Sequence, residues 1–121
     1  MKRKSHRRFD TFVRVERIKA SATAGADGHI DQTDDDNWEE YWLGHAHRLP
    51  KGSREFYRAS QINADLTELW EVQKNRATQG ITSEMRAKFR DLDTDRTFNI
   101  LGPPSEAGDR RNYHLSLREP E

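Results

Sequence analysis

The chain of 121 residues contains no cysteine, which excludes disulfide bonds, thiol nucleophiles and cysteine-bearing zinc sites. It also has no apolar run close to the roughly 20 residues that span a bilayer. The basic N-terminal stretch is not followed by the apolar core of a signal peptide. We therefore expect a soluble, intracellular protein that has no membrane partner.

Apolar residues and net charge are also scarce. Hydrophobic residues make up 32% of the chain and charged residues 35%, and the mean hydropathy is -1.14. The length suits one domain that buries about two-thirds of its unfolded surface, so much of the chain must be solvated or ordered by partners. The 21 basic and 21 acidic side chains cancel, and any electrostatic steering must be local.

Enzyme motifs are missing as well. The sequence has no glycine-rich phosphate loop, no GxSxG turn and no HExxH helix. The run 91–95, DLDTD, is similar to the start of an EF-hand, but Arg96 stands where that loop needs glycine and Gly102 where it needs a bidentate glutamate. We therefore expect no enzyme and no catalytic residues.

Two other groups of residues have the chemistry of metal ligands. The segment 24–37 carries four aspartates between residues 31 and 36, which either bind a divalent cation or form a solvated loop. His45 and His47 are two apart, so they lie on one side of a strand, but no third ligand is evident. We expect no metal site and no cofactor.

The stretch from residue 80 to 119 has the period-two alternation of three strands. The side chains predicted to share an inner face are Met85, Ala87 and Phe89, then Arg96, Phe98 and Ile100, then Tyr113, Leu115 and Leu117. A polar turn at 91–95 separates the first two strands. Gly102-Pro103-Pro104 and Gly108-Asp109 separate the last two, in a loop that no regular strand would cross.

Three more strands are predicted upstream, at 12–20 with a bulge near Ile18, at 38–49 and at 64–74. In the second, Trp38 and Trp42 are predicted on one face and Tyr41 on the other. The fold class is therefore mainly β, a small antiparallel β-barrel or sandwich of about six strands with long loops, to which one short helix can be added. It forms a single domain over 11–119, with loops at 24–37 and 50–63.

The loop at 50–63 is locally basic because it carries Lys51, Arg54 and Arg58. Ser53 is a suitable N-cap for a short helix, and a long loop fits the sequence equally well.

Residues 1–10 form a basic N-terminal arm. Its five cationic side chains are Lys2, Arg3, Lys4, Arg7 and Arg8. The arm either contacts DNA phosphates or an acidic neighbouring subunit, or it is a solvated terminus.

A family resemblance rests on the order of several motifs: NW at 37–38, Trp42, REFYRASQ at 54–61, GIT at 80–82, MRAKF at 85–89, FNILGPP at 98–104 and RRNYHLSLRE at 110–119. Over residues 13–119 the chain resembles the head-closure, or head–tail joining, proteins of tailed phages, the stoppers of the connector.

That resemblance implies a structural virion protein of the phage neck, assembled in the host cytoplasm. It implies a ring of about twelve copies, or six, below the portal and adaptor and above the tail terminator, which retains packaged double-stranded DNA and offers a surface for tail attachment. It also implies that 50–63, with Lys51, Arg54 and Arg58, faces the channel.

The alternative is a free-standing nucleic-acid-binding β-barrel, similar in architecture to an OB-fold. That function requires exposed aromatic side chains beside basic ones on a strand face. The strand that begins near Met85 offers Arg86, Lys88 and Arg90 but no aromatic residue on the same side.

Overall fold

Seven strands and two short α-helices make up the part of the chain that the computed structural model describes, namely residues 11–22, 24–25, 28–91, 94–108 and 111–120. The elements are β1 (Thr11–Ile18), β2 (Trp38–Arg48), α1 (Arg54–Ile62), β3 (Glu68–Gln73), α2 (Arg76–Gln79), β4 (Arg86–Asp91), β5 (Thr94–Ile100), β6 (Ser105–Glu106) and β7 (Asn112–Arg118). A 3-10 turn at Asp35–Asn37 precedes β2. The basic arm at residues 1–10 lies outside the described residues.

Six of the strands close into an antiparallel barrel. Each strand pairs with the next in the order β3-β2-β1-β4-β5-β7, and β3 also pairs with β7, which completes the circle. The two-residue strand β6 lies outside the barrel and pairs with the first half of β7. The fold class predicted from the alternation is confirmed. Of its two forms, barrel and sandwich, the structure has the barrel.

The barrel interior is built from the side chains that the alternation assigns to the inner face. Ala87, Phe89, Phe98, Leu115 and Leu117 are all buried. They belong to one core together with Val13, Val15, Ala46, Trp70, Val72, Ile81 and Ile100. Burial of this apolar surface is the main force that holds the closed barrel together.

Aromatic rings fill the middle of the barrel. The Trp70 ring meets Phe98 edge-on at 5.4 Å between centroids and Phe89 at 5.8 Å, and Phe89 stacks on Phe98 at 5.8 Å. Such pairs add about 0.5–1.5 kcal/mol each beyond their buried area.

The prediction that Trp38 and Trp42 share a face was wrong, because β2 contains a bulge. Val15 pairs with Trp42 but Glu16 pairs with Glu40, so Tyr41 is an extra residue that reverses the phase of the strand. Trp42 therefore packs against the core, while Trp38 faces the outer side of the sheet and is buried beneath Arg86. The bulge predicted near Ile18 occurs instead opposite the Val15–Glu16 step.

The connections are more ordered than the sequence indicated. The 50–63 loop contains α1, whose N-cap Ser53 accepts a hydrogen bond from the Phe56 backbone at 3.1 Å. The turn before β4 contains α2, which begins with a capping box formed by Asn75 and Thr78. The loop after Pro104 contains β6, which was not predicted because two residues carry no readable alternation.

Gly44 gives a test of the barrel interior. A Cβ on Gly44 would lie within 3.0 Å of three atoms of the Trp42 indole, so Gly44→Ala must displace that ring from the core. We expect a loss of about 1–3 kcal/mol in the free energy of unfolding, measured by urea denaturation. The control Gly52→Ala, where a Cβ would meet nothing within 4 Å, should change stability by less than about 0.5 kcal/mol. If the two substitutions lowered the free energy of unfolding equally, the packing of Trp42 over Gly44 would be contradicted.

Candidate functional site

The three basic residues predicted to face a channel are all exposed and lie together on one excursion. Lys51 is in the turn before α1, Arg54 is the first residue of the helix and Arg58 follows one turn later. Their role in a channel stays a prediction. The five basic residues of the arm, Lys2, Arg3, Lys4, Arg7 and Arg8, fall outside the described residues.

Helix α1 is amphipathic but buries none of its residues. It connects β2 to β3 at the end of the barrel where β1 begins. Tyr57 is 62% exposed and Ile62 is 83% exposed. Large apolar side chains this exposed on a helix contribute little to the fold that carries them, so α1 presents a surface rather than supporting the barrel.

A groove of about 590 Å³ runs between α1 and the segment that carries β6. Leu69, His114 and Ser116 line it from the barrel, and Ala59 and Ile62 line it from the helix. Pro103, Ser105 and Glu106 line it from the segment before β7. The groove therefore has a lining in which apolar and polar side chains are mixed.

Polar contacts hold the β6 side of this groove. Lys74 donates to a Glu106 carboxylate oxygen at 2.7 Å, which ties β6 to the end of β3. Below it, the amide of Asn112 donates to the buried Glu71 carboxylate at 2.6 Å, and His114 Nε2 lies 3.6 Å from the other oxygen. These contacts cross from β3 to β7, so they reinforce the seam where the barrel closes.

A second cleft of about 600 Å³ opens where β1 and β4 diverge. The two strands pair from Glu16 with Arg86 up to Val13 with Phe89 and no further. The residues that line the cleft are Thr11, Phe12, Val13, Arg14, Arg48, Lys88, Phe89, Arg90 and Asp95. Four of these nine side chains are basic and one is acidic, so the cleft is cationic. We call it the β1–β4 cleft.

An aromatic side chain stands at the rim of the β1–β4 cleft. Phe12 is 56% exposed, and its ring meets His45 of β2 edge-on at 5.3 Å. Arg14 follows two residues later and so lies on the same outer face. An aromatic residue beside the basic side chains of β4 was not predicted from the sequence, because the neighbouring strand β1 supplies it rather than β4 itself.

Arg86 does not project into solvent as the alternation implied. Arg86 is only 8% exposed. Its guanidinium donates hydrogen bonds to Glu16 at 2.7 Å and to Asp35 at 2.9 Å. The same group lies 4.3 Å from the centroid of the Trp38 ring. The hydrogen bond from Arg86 and the charge of Lys88 lower the pKa of Asp35 below its ordinary value. Arg86 thus fastens the 31–37 segment to the barrel wall.

Two arginines close the end of the barrel next to the β1–β4 cleft. The guanidinium of Arg48 lies 4.4 Å from the Phe89 ring centroid and binds both oxygens of Glu68 at 2.9 and 3.0 Å. The guanidinium of Arg96 lies 5.3 Å from the centroid of the Phe89 ring and donates to both carboxylate oxygens of Glu119, at 3.0 and 2.7 Å. Bidentate pairs of this kind fix the geometry of both partners.

The acidic segment at 31–36 uses its carboxylates for local structure. Asp31 accepts hydrogen bonds from the backbone and hydroxyl of Thr33, and these bonds lower its pKa. Asp34 caps the 3-10 turn, and Asp35 binds Arg86. Within the described ranges, no group of three or more histidine, aspartate or glutamate side chains is arranged to hold a metal ion.

None of the helices in the described part of the chain has both the length and the apolar composition needed to cross a bilayer.

The class of protein that this geometry defines is a small closed β-barrel with a helical excursion between its second and third strands. The solution structure of protein SF1141 from Shigella flexneri 2a is similar, with a TM-score of 0.61 and 22% sequence identity over 93% of each chain. No protein-family model matches the sequence, and no curated protein matches it. At this identity the similarity concerns the fold.

The Arg48–Glu68 pair should make stability depend on acidity. Burial raises the pKa of Glu68, but hydrogen bonds from Arg48 and Trp70 and the nearby positive charges outweigh it and hold that pKa below its ordinary value of 4.5. A carboxyl with a lowered folded-state pKa stabilises the fold above its unfolded pKa and loses that contribution as the pH falls through the folded one.

We therefore expect Glu68→Gln to reduce the free energy of unfolding by about 1–3 kcal/mol at pH 7. The difference from wild type should shrink as the pH falls below 4.5. Chemical denaturation across pH measures both. Glu84→Gln is the matched control, because that residue is exposed, and it should change stability by less than about 0.5 kcal/mol. If the stability difference between wild type and Glu68→Gln stayed constant across the acid range, the assignment would be contradicted.

Proposed function

We propose that this chain is a structural subunit of a phage neck, a head-closure protein that forms a ring below the portal and adaptor. In that ring it retains packaged double-stranded DNA and provides the surface to which the tail attaches. The order of sequence motifs over residues 13–119 suggests the family, and the barrel with a helical excursion at 50–63 agrees with the fold expected of it.

The observation that carries the proposal is the exposure of α1. The helix is well formed and capped by Ser53, yet it buries no residue, and Tyr57 and Ile62 remain largely in solvent. The barrel uses neither side chain, so both are available for contact with another protein. In a ring, the neighbouring subunit provides that contact.

Charge supports the same assembly. The net charge of the chain is zero, but basic and acidic groups are segregated, with Lys51, Arg54 and Arg58 on the excursion and the aspartates of 31–36 on another loop. A ring requires a heterologous interface, in which one face of each subunit meets a different face of the next. Segregated charges give such an interface its register.

The basic side chains of the excursion have a second role in this proposal. Arg54 and Arg58 are one turn apart on α1, and Lys51 precedes them in the turn. If α1 lines the channel, these three cations face the phosphates of the packaged DNA. Ile62 lies one turn beyond Arg58 on the same side of the helix and lines the groove with it, while Tyr57 lies on another side, where the neighbouring copy contacts it. Retention of DNA would then depend on charge, and assembly on apolar contact with Tyr57.

Electron cryomicroscopy of particles assembled from the phage genome that encodes this chain tests the proposal directly. We expect density for a ring of about twelve barrels, or six, at the head–tail vertex. Deletion of the chain should give DNA-filled heads that lose their DNA and carry no tails. Particles that lack the chain, or that hold it away from this vertex, would contradict the proposed function. A monomer in solution would not, because such rings can form on the connector alone.

The double substitution Tyr57→Ser with Ile62→Ser tests the role of α1. Neither side chain supports the barrel, so the thermal midpoint should change little, whereas incorporation of the chain into particles should fall at least about tenfold because the covered apolar surface is lost. Quantitative mass spectrometry of purified particles measures incorporation. Leu43→Ser is the control, since it removes another exposed apolar side chain from the outer face of β2. Equal incorporation of both variants would argue against α1 as the subunit contact.

A further inference from the structure

The β1–β4 cleft brings like charges together across two paired strands. Arg14 of β1 stands directly opposite Lys88 of β4 in the antiparallel register, and Arg90 lies two residues beyond Lys88 on the same face. Like charges directly opposite each other destabilise a sheet. The carboxylate of Glu16 lies within 3.7 Å of both Arg14 and Lys88 and offsets part of this repulsion. Four of the nine residues that line the cleft are basic and one is acidic, so the cleft keeps an excess of positive charge.

The acidic side chains near Arg14 hold it only loosely. Its guanidinium lies 3.5 Å from Glu16 and 3.7 Å from Glu40, and the Arg14 side chain is 48% exposed. These separations are longer than hydrogen bonds, and exposed ion pairs contribute about 0–1 kcal/mol each. A phosphate that enters the cleft can therefore replace them at little cost. Lys88 is different, because its ammonium lies 3.7 Å from the buried Glu16 carboxylate and its side chain is largely buried.

Arg90 lies at the surface of the same cleft. Its ion pair with Asp95 spans 3.7 Å, and both side chains are more than half exposed. By contrast, Arg48 at the bottom of the cleft is committed to Glu68 and to the Phe89 ring. The exposed cations of the cleft are therefore Arg14 and Arg90, which with Lys88 form a short row across β1 and β4.

Phe12 distinguishes between the possible anions. Its exposed ring lies at the rim of the same cleft, next to the row of cations. An acidic peptide would use the cations and leave this ring in water, whereas a nucleic-acid strand presents a phosphate and an aromatic base in every repeat. Positive charge beside an exposed aromatic ring is the combination with which barrels bind single strands.

The rest of the chain favours the same occupant. The acidic segment of this chain is already fastened by Arg86 at the far end of the same two strands, so it is not free to fill the cleft. The basic arm, with Lys2, Arg3, Lys4, Arg7 and Arg8, precedes Thr11 in the sequence, and Thr11 itself lines the cleft.

We infer that the β1–β4 cleft binds a single nucleic-acid strand. Arg14 and Arg90 bind its phosphates, and the ring of Phe12 stacks on an adjacent base. This inference does not rest on the ring proposed above, since the cleft lies on the barrel of each copy.

Fluorescence anisotropy with the full chain tests the inference. The probes are a labelled oligothymidylate of about 12 nucleotides, which is within the range that a small barrel covers, a duplex of the same length, and the acidic peptide IDQTDDDN. Titrations at several salt concentrations give the slope of log affinity against log salt. We expect the single strand to bind more tightly than the duplex, and the peptide to bind weakly.

Substitutions then assign the contacts. Arg14→Gln or Arg90→Gln should each reduce the salt slope by about 0.7, the value for one phosphate contact on a single strand. Phe12→Ala should weaken single-strand binding about tenfold through lost stacking. Arg76→Gln makes the same charge change on α2 at the opposite end of the barrel and should leave binding unchanged. Circular dichroism of each variant checks that the fold is retained.

Three results would overturn the inference. The first is absence of single-strand binding at low salt, or preferential binding of the acidic peptide, which would make the cleft a protein interface. The second is an equal effect of Arg14→Gln and Arg76→Gln. The third is equal affinity for duplex and single strand together with no effect of Phe12→Ala. Each is distinct from a failure of the neck assignment, which depends on the position of the chain in particles.

Discussion

The pairing of β3 with β7 is the constraint on which the rest of the structure depends. All six residues of Glu68–Gln73 are in register with β7, from Glu68 opposite Leu117 to Gln73 opposite Asn112, while the end of β2 occupies the other edge of β3. This pairing joins segments that are far apart in the sequence and removes the free edges that an open sheet would expose. It also encloses Trp70, which meets Phe89 and Phe98 at the centre of the core. The cost of ordering such distant segments is met by this burial.

Much of the barrel wall could be predicted from the sequence because a strand that is buried on one face repeats every two residues. The inner residues of β4, β5 and β7 follow this rule, as Ala87, Phe98 and Leu115 illustrate. Closure could not be predicted, since alternation identifies the faces of a strand but not its neighbours. The bulge at Tyr41 was missed for a related reason. One extra residue reverses every later face of β2, and its position depends on the register with β1.

Alternation identifies the faces of one strand but not the neighbouring strands, and this also explains which surface contacts could not be predicted. Alternation correctly assigned Arg86, Lys88 and Arg90 to the outer face of β4, but it could not show that Glu16, Asp35 and Trp38 cover the first of them. Nor could it place Phe12 and Arg90 in the same cleft, because that placement depends on β1 pairing with β4 rather than on either strand alone. Side-chain chemistry at a barrel surface is thus distributed over neighbouring strands, and a search within one strand underestimates it.

The two surface features lie on opposite sides of the barrel. In the closed order β1-β2-β3-β7-β5-β4, the β3–β7 seam with its groove and α1 is three strands away from the β1–β4 seam with its cationic cleft. A subunit in a ring needs two different faces for its two neighbours, and the groove with α1 can serve that purpose without covering the cleft. Because the exposed ion pairs of Arg14 contribute little to stability, and α1 buries no side chain, either surface can be altered while the barrel stays intact. The barrel therefore separates the requirements of folding, which its interior meets, from those of recognition, which its two seams meet independently.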